Sequence, residues 1–243
     1  MDRPIQALTP GIKRPTLKSM VWRYFRILKP ILFQGPGKKT PYFEGWYFKQ
    51  VSGGNANART FSAIPGISRS AEGAGAFIQT IGGTGQASRF FSFPYTDFSY
   101  SDTPFEIRIG ANRFSLSGMD LDLADKIGAI RANLRYSGNV PPRTSLFRPG
   151  VMGPYGFTPF LECYHGIASM HHEVTGSVTF DKETQSFDGG RGYIEKDWGK
   201  SMPSSWIWIQ TTEFAPAIGP ASFSFSLARV PWLGSSFAGF ICL

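Results

Sequence analysis

Glu195 and Asp197 stand in the segment Gly192 to Thr211, GYIEKDWGKSMPSSWIWIQT, beside three tryptophans. In an extended chain, neighbouring side chains point to opposite faces. Tyr193, Glu195 and Asp197 then share one face, and Ile194, Lys196 and Trp198 the other. Past Pro203, Trp206, Trp208 and Gln210 share one face, and Ile207 and Ile209 the other. A strand apolar on both faces is expected to be buried on both. Acid groups beside a buried aromatic wall suit a site that holds a hydrophobic substrate and protonates it.

Other residues could join such chemistry. Glu44 lies in YFEGWYFK, a charge among five aromatics. Buried carboxylates are rare unless paired or functional. Lys49 or a nearby arginine is the expected partner, and a structural ion pair closing a barrel end stands beside a catalytic role. Glu162 precedes Cys163, Tyr164 and His165 in a second aromatic-rich strand, and carries the same two readings. All three histidines, His165, His171 and His172, fall within ECYHGIASMHHEV. Their spacing matches no compact zinc site, and His171 and His172 face opposite sides of a strand, so structural or hydrogen-bonding roles are expected and no metal. The chain has no phosphate-binding G-x-x-x-x-G-K-[ST], no G-x-G-x-x-G opening a helix, no H-E-x-x-H and no G-x-S-x-G. Nucleotide-dependent and serine-hydrolase chemistries lose support accordingly.

The elements that position these residues read as short strands. Charged residues are only 17% and aromatics 15%, with 22 Phe, which favours an apolar interior or cavity over disorder. The 28 Gly and 18 Pro suit frequent turns. Alternation in FEIRI, NRFSLS and IRANLRY, with turn signals at roughly 8–14-residue spacing, predicts an all-β sandwich or barrel. Residues 141–162, with five prolines, read as a long ordered connection, and a boundary is expected near 140–160. Before the strands, Pro15 to Leu32 has apolar residues near helical spacing and predicts a short amphipathic helix, docked on its own domain or resting on a membrane surface. The division is then a leader and helix over 1–35, a first β-barrel-like half over 36–150 and a second over 151–243. The apolar ending SSFAGFICL suggests that the second half is shortened, with strands that close the site absent.

A net charge of +8 suits an anionic surface, yet beyond residue 39 the basic residues are scattered and no nucleic-acid motif is present, so nucleic acid is not expected as a partner. Two isolated cysteines give neither a disulfide framework nor a zinc site. No apolar run reaches the roughly 18 residues of a membrane helix, and the N-terminus lacks a secretory signal. A cytoplasmic protein, peripheral to a membrane or lipid-droplet surface, is the expectation.

YFEGWYFK at 42–49, FLECYHGIASMHHEVTGSV at 160–178 and GGRGYIEKDWGKSMPSSWIWIQT at 189–211 resemble, in order, the signature blocks of the tocopherol cyclase family. The resemblance covers about fifty residues, and its last block is long and chemically unusual. It implies two lipocalin-related β-barrel-like halves, an architecture similar to carotenoid hydratases. It also implies closure of a chromanol ring on a phytyl-substituted hydroquinone, with no redox cofactor: an acid protonates the prenyl alkene and the phenol oxygen captures the cation.

Alkenes are weak bases, so such an acid must be a carboxyl kept protonated and dry, as burial among rings favours. Desolvated tryptophan faces stabilise a cation by roughly 0.5–2 kcal/mol each. Asp197, beside Trp198, is the first candidate acid, with Glu195 as its proton-sharing partner and Tyr164 or His165 as acceptor of the phenol proton. Trp46, Trp198, Trp206 and Trp208, with Glu44 and Glu162, are candidate substrate contacts. The structural alternatives are a turn role for Asp197 and core packing for the tryptophans. Competing functions on the same scaffold are a non-catalytic isoprenoid binder and a hydratase in which water replaces the phenol.

Overall fold

The computed structural model describes residues 26, 28–54, 58–82, 87–145, 149–212, 214 and 221–243. Fifteen strands follow one another: β1 Tyr42–Val51, β2 Thr60–Arg69, β3 Ala74–Gly82, β4 Ala87–Pro94, β5 Phe98–Asp102, β6 Phe105–Ile109, β7 Asn112–Ser115, β8 Gly118–Ala124, β9 Ala129–Val140, β10 Cys163–Phe180, β11 Glu183–Ser186, β12 Gly190–Gly199, β13 Trp206–Thr211, β14 Phe223–Trp232 and β15 Ser235–Cys242. Short 3-10 turns occupy Tyr95–Asp97 and Gly153–Phe157.

Eleven strands form one antiparallel path, β4-β3-β2-β1-β12-β10-β9-β8-β7-β6-β5, with β11 paired to β10. The path rolls into a nearly closed barrel whose two end strands, β4 and β5, follow each other in the chain through the turn at Tyr95–Asp97. Ring contacts cross the interior, Phe48 to Phe114 at 5.5 Å and Phe61 to Phe180 at 5.8 Å. Side chains fill that interior. Trp46, Phe48, Phe61, Ile78, Ile107, Phe114, Met119, Leu134 and Val174 are all fully buried. A second sheet, β13-β14-β15, lies apart from this path.

β9 shows the one-sided pattern of a barrel wall facing water, buried and exposed residues alternating along most of its length. β12 differs, because nearly every residue of GRGYIEKDWG is buried, so both of its faces are covered. Ile194, Lys196 and Trp198 point into the barrel. Tyr193, Glu195 and Asp197 point outward, under the small sheet. Polar contacts hold that sheet in place, among them Lys49 Nζ to Gln210 Oε1 at 2.7 Å, Arg191 to the Thr212 carbonyl at 3.1 Å, Tyr193 Oη with Ser224 Oγ at 3.1 Å, Trp208 Nε1 to Glu195 at 3.0 Å, and Ser222 Oγ to the Met170 carbonyl at 2.6 Å.

Several expectations change. In place of two barrel halves there is one rolled sheet plus a three-stranded sheet. Strands from both sides of the expected boundary pair with each other, β12 with β1 and β10 with β9, so the 141–162 connection separates no sheets. The amphipathic helix falls mostly outside the described residues, and its described end, from Leu28 to Leu32, is turn and irregular chain. β13 is not buried on both faces, since Ile207 and Ile209 are about half exposed on the side away from the barrel.

The partner of Glu44 is neither Lys49 nor an arginine. Glu44 forms a fully buried ion pair with Lys196 inside the barrel. Tyr42 Oη and the Gln34 amide also donate to Glu44, and Lys196 Nζ donates to the Leu32 carbonyl and lies 4.7 Å from the Trp46 ring and 5.0 Å from that of Trp198. Burial pulls the Lys196 ammonium down to about 8 against the opposing pull of Glu44. Removing one member strands the other charge, so Lys196→Met is expected to cost about 3–5 kcal/mol in urea unfolding, and Glu44→Gln/Lys196→Met to restore most of it. Equal losses in the two proteins would show that the pair is not the origin.

Candidate active site

Between the outer face of β1, β12 and β10 and the inner face of β13–β15 lies a cavity of about 690 Å³. Tyr47, Ile64, His165, Glu195 and Asp197 face it from the barrel, and Trp206, Trp208, Ala228, Val230 and Ile241 from the small sheet. Met152, Tyr155 and Leu161, from the 141–162 connection, close one side. Tyr155 packs its ring on Trp232 at 5.8 Å and Phe237 at 6.0 Å, which ties that connection to the small sheet. The lining is chiefly apolar, and its two carboxylates and its histidine stand on the barrel wall.

Those groups form a row. Asp197 is the cross-strand partner of His165, and His165 Nδ1 lies 2.9 Å from Asp197 Oδ1. His165 Nε2 lies 3.6 Å from Glu195 Oε2, too far for a hydrogen bond, and has no hydrogen-bond partner among the described residues. Glu195 Oε2 accepts from Tyr193 Oη at 2.7 Å and from Trp208 Nε1 at 3.0 Å. The side chains of His165 and Glu195 are 12% and 8% exposed, and that of Asp197 is 30% exposed.

The electrostatics follow from this packing. Burial alone would lower the His165 imidazolium, but the Asp197 and Glu195 carboxylates outweigh it and raise the group to about 9. His165 is therefore charged at neutral pH. Burial raises the Glu195 carboxyl above the usual carboxylate range, reinforced by Asp197, while His165, Tyr193 and Trp208 hold it back. Burial raises the Tyr47 phenol as well.

Of the residues singled out from sequence, Asp197, Glu195, His165, Tyr164, Trp206 and Trp208 meet at this cavity. Tyr164 spends its hydroxyl on the Thr158 carbonyl and stacks its ring on Trp198 at 5.6 Å. Trp46 and Glu44 do not reach the cavity, because strand alternation turns them into the barrel, where both are fully buried. Trp198 faces inward for the same reason, and lines a separate cavity of about 450 Å³ with Arg26 and Gln34. Glu162 precedes β10, where its carbonyl accepts from the Lys200 amide at 2.7 Å. Two residues were missed. Tyr47 neighbours Trp46 and so faces the cavity while Trp46 faces the core. Tyr193, grouped by alternation with Glu195, is its hydrogen-bond donor. Pairing β1 with β12 would have exposed the role of Tyr47, since Tyr47 lies opposite Glu195.

The His171 carbonyl accepts from Ser169 Oγ at 2.8 Å, and His172 serves packing. The His172 ring sits 4.5 Å from that of Tyr136, over Gly192, where a Cβ would stand 2.0 Å from Nε2. Burial lowers His172 to about 3, so it is neutral at neutral pH. Among the described residues no helix is long and apolar enough to cross a membrane.

Parts of this chain are similar to known proteins. A stretch of 66 residues, 27% of this chain, is 35% identical to the chloroplastic tocopherol cyclase of Zea mays. A stretch of the same length is 32% identical to a protein of Oryza sativa subsp. japonica described as a probable chloroplastic tocopherol cyclase. These matches span only 14% of the length of either relative. A solved structure from Nitrosomonas europaea, provisionally described as AttH, shares the fold with a TM-score of 0.50 and 10% identity over 86% of this chain and 73% of that one. Residues 145–242, which contain β10 to β15 and with them the carboxylate–histidine row and the tryptophan wall, match the family described as Tocopherol cyclase-like.

Proposed function

We propose that this protein is a tocopherol cyclase-like intramolecular lyase that closes a chromanol ring on a phytyl-substituted hydroquinone. The observation that carries the reading is the Asp197–His165–Glu195 row set into the wall of an otherwise apolar cavity. The curated relatives named as tocopherol cyclases support the substrate class. A passive isoprenoid binder has no use for three titratable groups held together at its wall. Apart from that row, most of the lining is hydrocarbon and aromatic surface, which favours ring closure over hydration.

In the proposed reaction the proton that Glu195 and Asp197 share passes from Asp197 to the trisubstituted alkene, forming a C–H bond and a tertiary cation. Trp206 and Trp208, across the cavity, face that cation. The neighbouring phenol oxygen attacks to form the C–O bond, and its proton returns to the Asp197 carboxylate, which restores the acid. His165 fixes Asp197 through Nδ1. The negative charge of Asp197 and, next to it, of Glu195, which Tyr193 and Trp208 anchor, keeps His165 protonated.

Incubation with 2-methyl-6-phytyl-1,4-benzoquinol in detergent is expected to yield a chromanol. Asp197→Asn is expected to lower turnover by about 10²–10⁴-fold in a protein with unchanged circular dichroism. Unaltered turnover would remove Asp197 as the acid.

The folded protein holds the His165 proton up to about pH 9 against an ordinary value of 6.5. The stabilisation this supplies is complete below the ordinary value and is lost as pH rises through the folded one. Urea unfolding between pH 6 and 10 should therefore show a decline that His165→Gln lacks. Comparing the two proteins separates this effect from Lys196, which titrates nearby. Parallel profiles would show that His165 is not held charged.

A further inference from the structure

The sheet that covers the cavity carries apolar surface that the proposed reaction does not use. Cross-strand partners share a face, so Leu227 and Phe240, in register with Ile207, lie on the side of the small sheet away from the barrel. Ile207 and Ile209 are about half exposed there, and Phe240 is 71% exposed. The β14–β15 hairpin adds to this surface. Its two turn residues, Leu233 and Gly234, both have positive φ, at 46° and 85°. Such a turn favours asparagine and glycine, because a bulky side chain is strained there. Leu233 nonetheless stands in it, with its side chain in water at 81% exposure. A leucine placed at that cost points to a partner outside the fold. Trp232, just before the turn, packs against Tyr155, Phe160 and Phe237, three rings that are themselves partly exposed.

We propose that the outer face of the small sheet and its hairpin tip dock on an anionic lipid surface, with Leu233 entering the acyl boundary. Charge supports this partner. From residue 200 to 243 the sequence holds two cations, Lys200 and Arg229, and one carboxylate, Glu213. Arg229, two residues beyond Leu227 on β14, shares its face and is exposed. A second copy of the chain would meet Arg229 with an identical face, which has no carboxylate among the described residues. A bilayer with anionic headgroups offers hydrocarbon to the leucine and isoleucines, a boundary layer to the rings and counter-charge to the cations. The exposed part of the cavity lining adjoins this surface, through Tyr155 and Phe237 beside Trp232 and through Phe240 on the edge strand. A hydrocarbon ligand thus passes from lipid to cavity along apolar side chains. The docking surface stands independently of the cyclase reading.

Sedimentation with vesicles reads the docking without turnover. The full chain is expected to co-sediment with vesicles of phosphatidylcholine and phosphatidylglycerol in equal parts, and more weakly with phosphatidylcholine alone. Leu233→Asn relieves the turn, so stability in urea should hold or rise while vesicle affinity falls about tenfold. A role for Leu233 inside the fold would instead lower stability and leave affinity unchanged. Ile207→Ser/Ile209→Ser should weaken binding to both vesicles at least about tenfold, and Arg229→Gln about fivefold on the anionic vesicles alone. Ile127→Ser, at an exposed apolar position in the β8–β9 turn, is the control and should change nothing. Where the double variant does not fold, Leu233→Asn carries the test. No co-sedimentation, unchanged binding by the folded variants, or an equal loss from Ile127→Ser overturns the proposal. A dimer that the same substitutions dissociate overturns it too, and assigns the face to a second copy. A protein that forms no chromanol in detergent yet docks through Leu233 loses the cyclase reading and keeps the surface.

Discussion

The buried pair of Lys196 and Glu44 sets the terms for everything on the other side of the sheet. Lys196 is a fully buried charge in a barrel packed mostly with aliphatic and aromatic side chains. Pointing inward, it meets Glu44, the Leu32 carbonyl and two indole faces. Because strand side chains alternate, one inward Lys196 dictates that Glu195 and Asp197 point outward. A slip of one residue would drive both carboxylates into the apolar barrel and expose Lys196, Ile194 and Trp198 outside. Replacing such a pair with well-packed hydrophobic residues is often neutral or stabilising, so its contribution here is to register more than to net stability.

The site consequently lies outside the barrel, against a wall that a second sheet has covered. Small ligand-holding barrels enclose their ligand, but this interior is occupied by its own rings, with Phe48 and Phe114 in contact across it. The cover is held largely by polar bonds at its margins, through Lys49, Arg191, Tyr193 and Ser222. Between those bonds the two surfaces stay apart, and that separation is the cavity. Trp208 belongs to both tasks, since its indole N–H holds Glu195 while its ring faces the space between the sheets.

The alternation of GYIEKDWG was legible because a strand's period is local: it needs only the residues themselves. The same local rule placed Trp206 and Trp208 on one face. What depended on pairing was not legible. The sequence offers Glu44 either Lys49, five residues on, or a nearby arginine, whereas its partner is Lys196 on a strand brought alongside by the fold. The two-half division failed for the same reason, since β10 and β12 insert between β9 and β1 across a long connection that reads as a break. Trp46 looked like a pocket wall because aromatic density does not distinguish the two faces of a sheet. Only the parity of β1 relative to β12 does so, and it sends Trp46 inward and Tyr47 outward. The exposed outer face of β13 was missed because a strand apolar on both sides says nothing of how many layers surround it.

His165 gives the row its chemical logic. With both carboxylates ionised and the imidazolium charged, the row carries one net negative charge, and one added proton makes it neutral. Burial favours the neutral state, and the elevated Glu195 carboxyl reports that pressure. In the proposed reaction the neutral row gives up its proton when the substrate becomes a cation, so the row turns negative as the positive charge forms beside it. Opposite charges then arise together, and their mutual attraction offsets part of the cost of forming them. A lone aspartate would need to be kept protonated by burial alone. Distributing the charge over Asp197, His165 and Glu195 lets Asp197 keep 30% of its side-chain surface at the cavity while its partners, 12% and 8% exposed, hold the compensating charges in the wall.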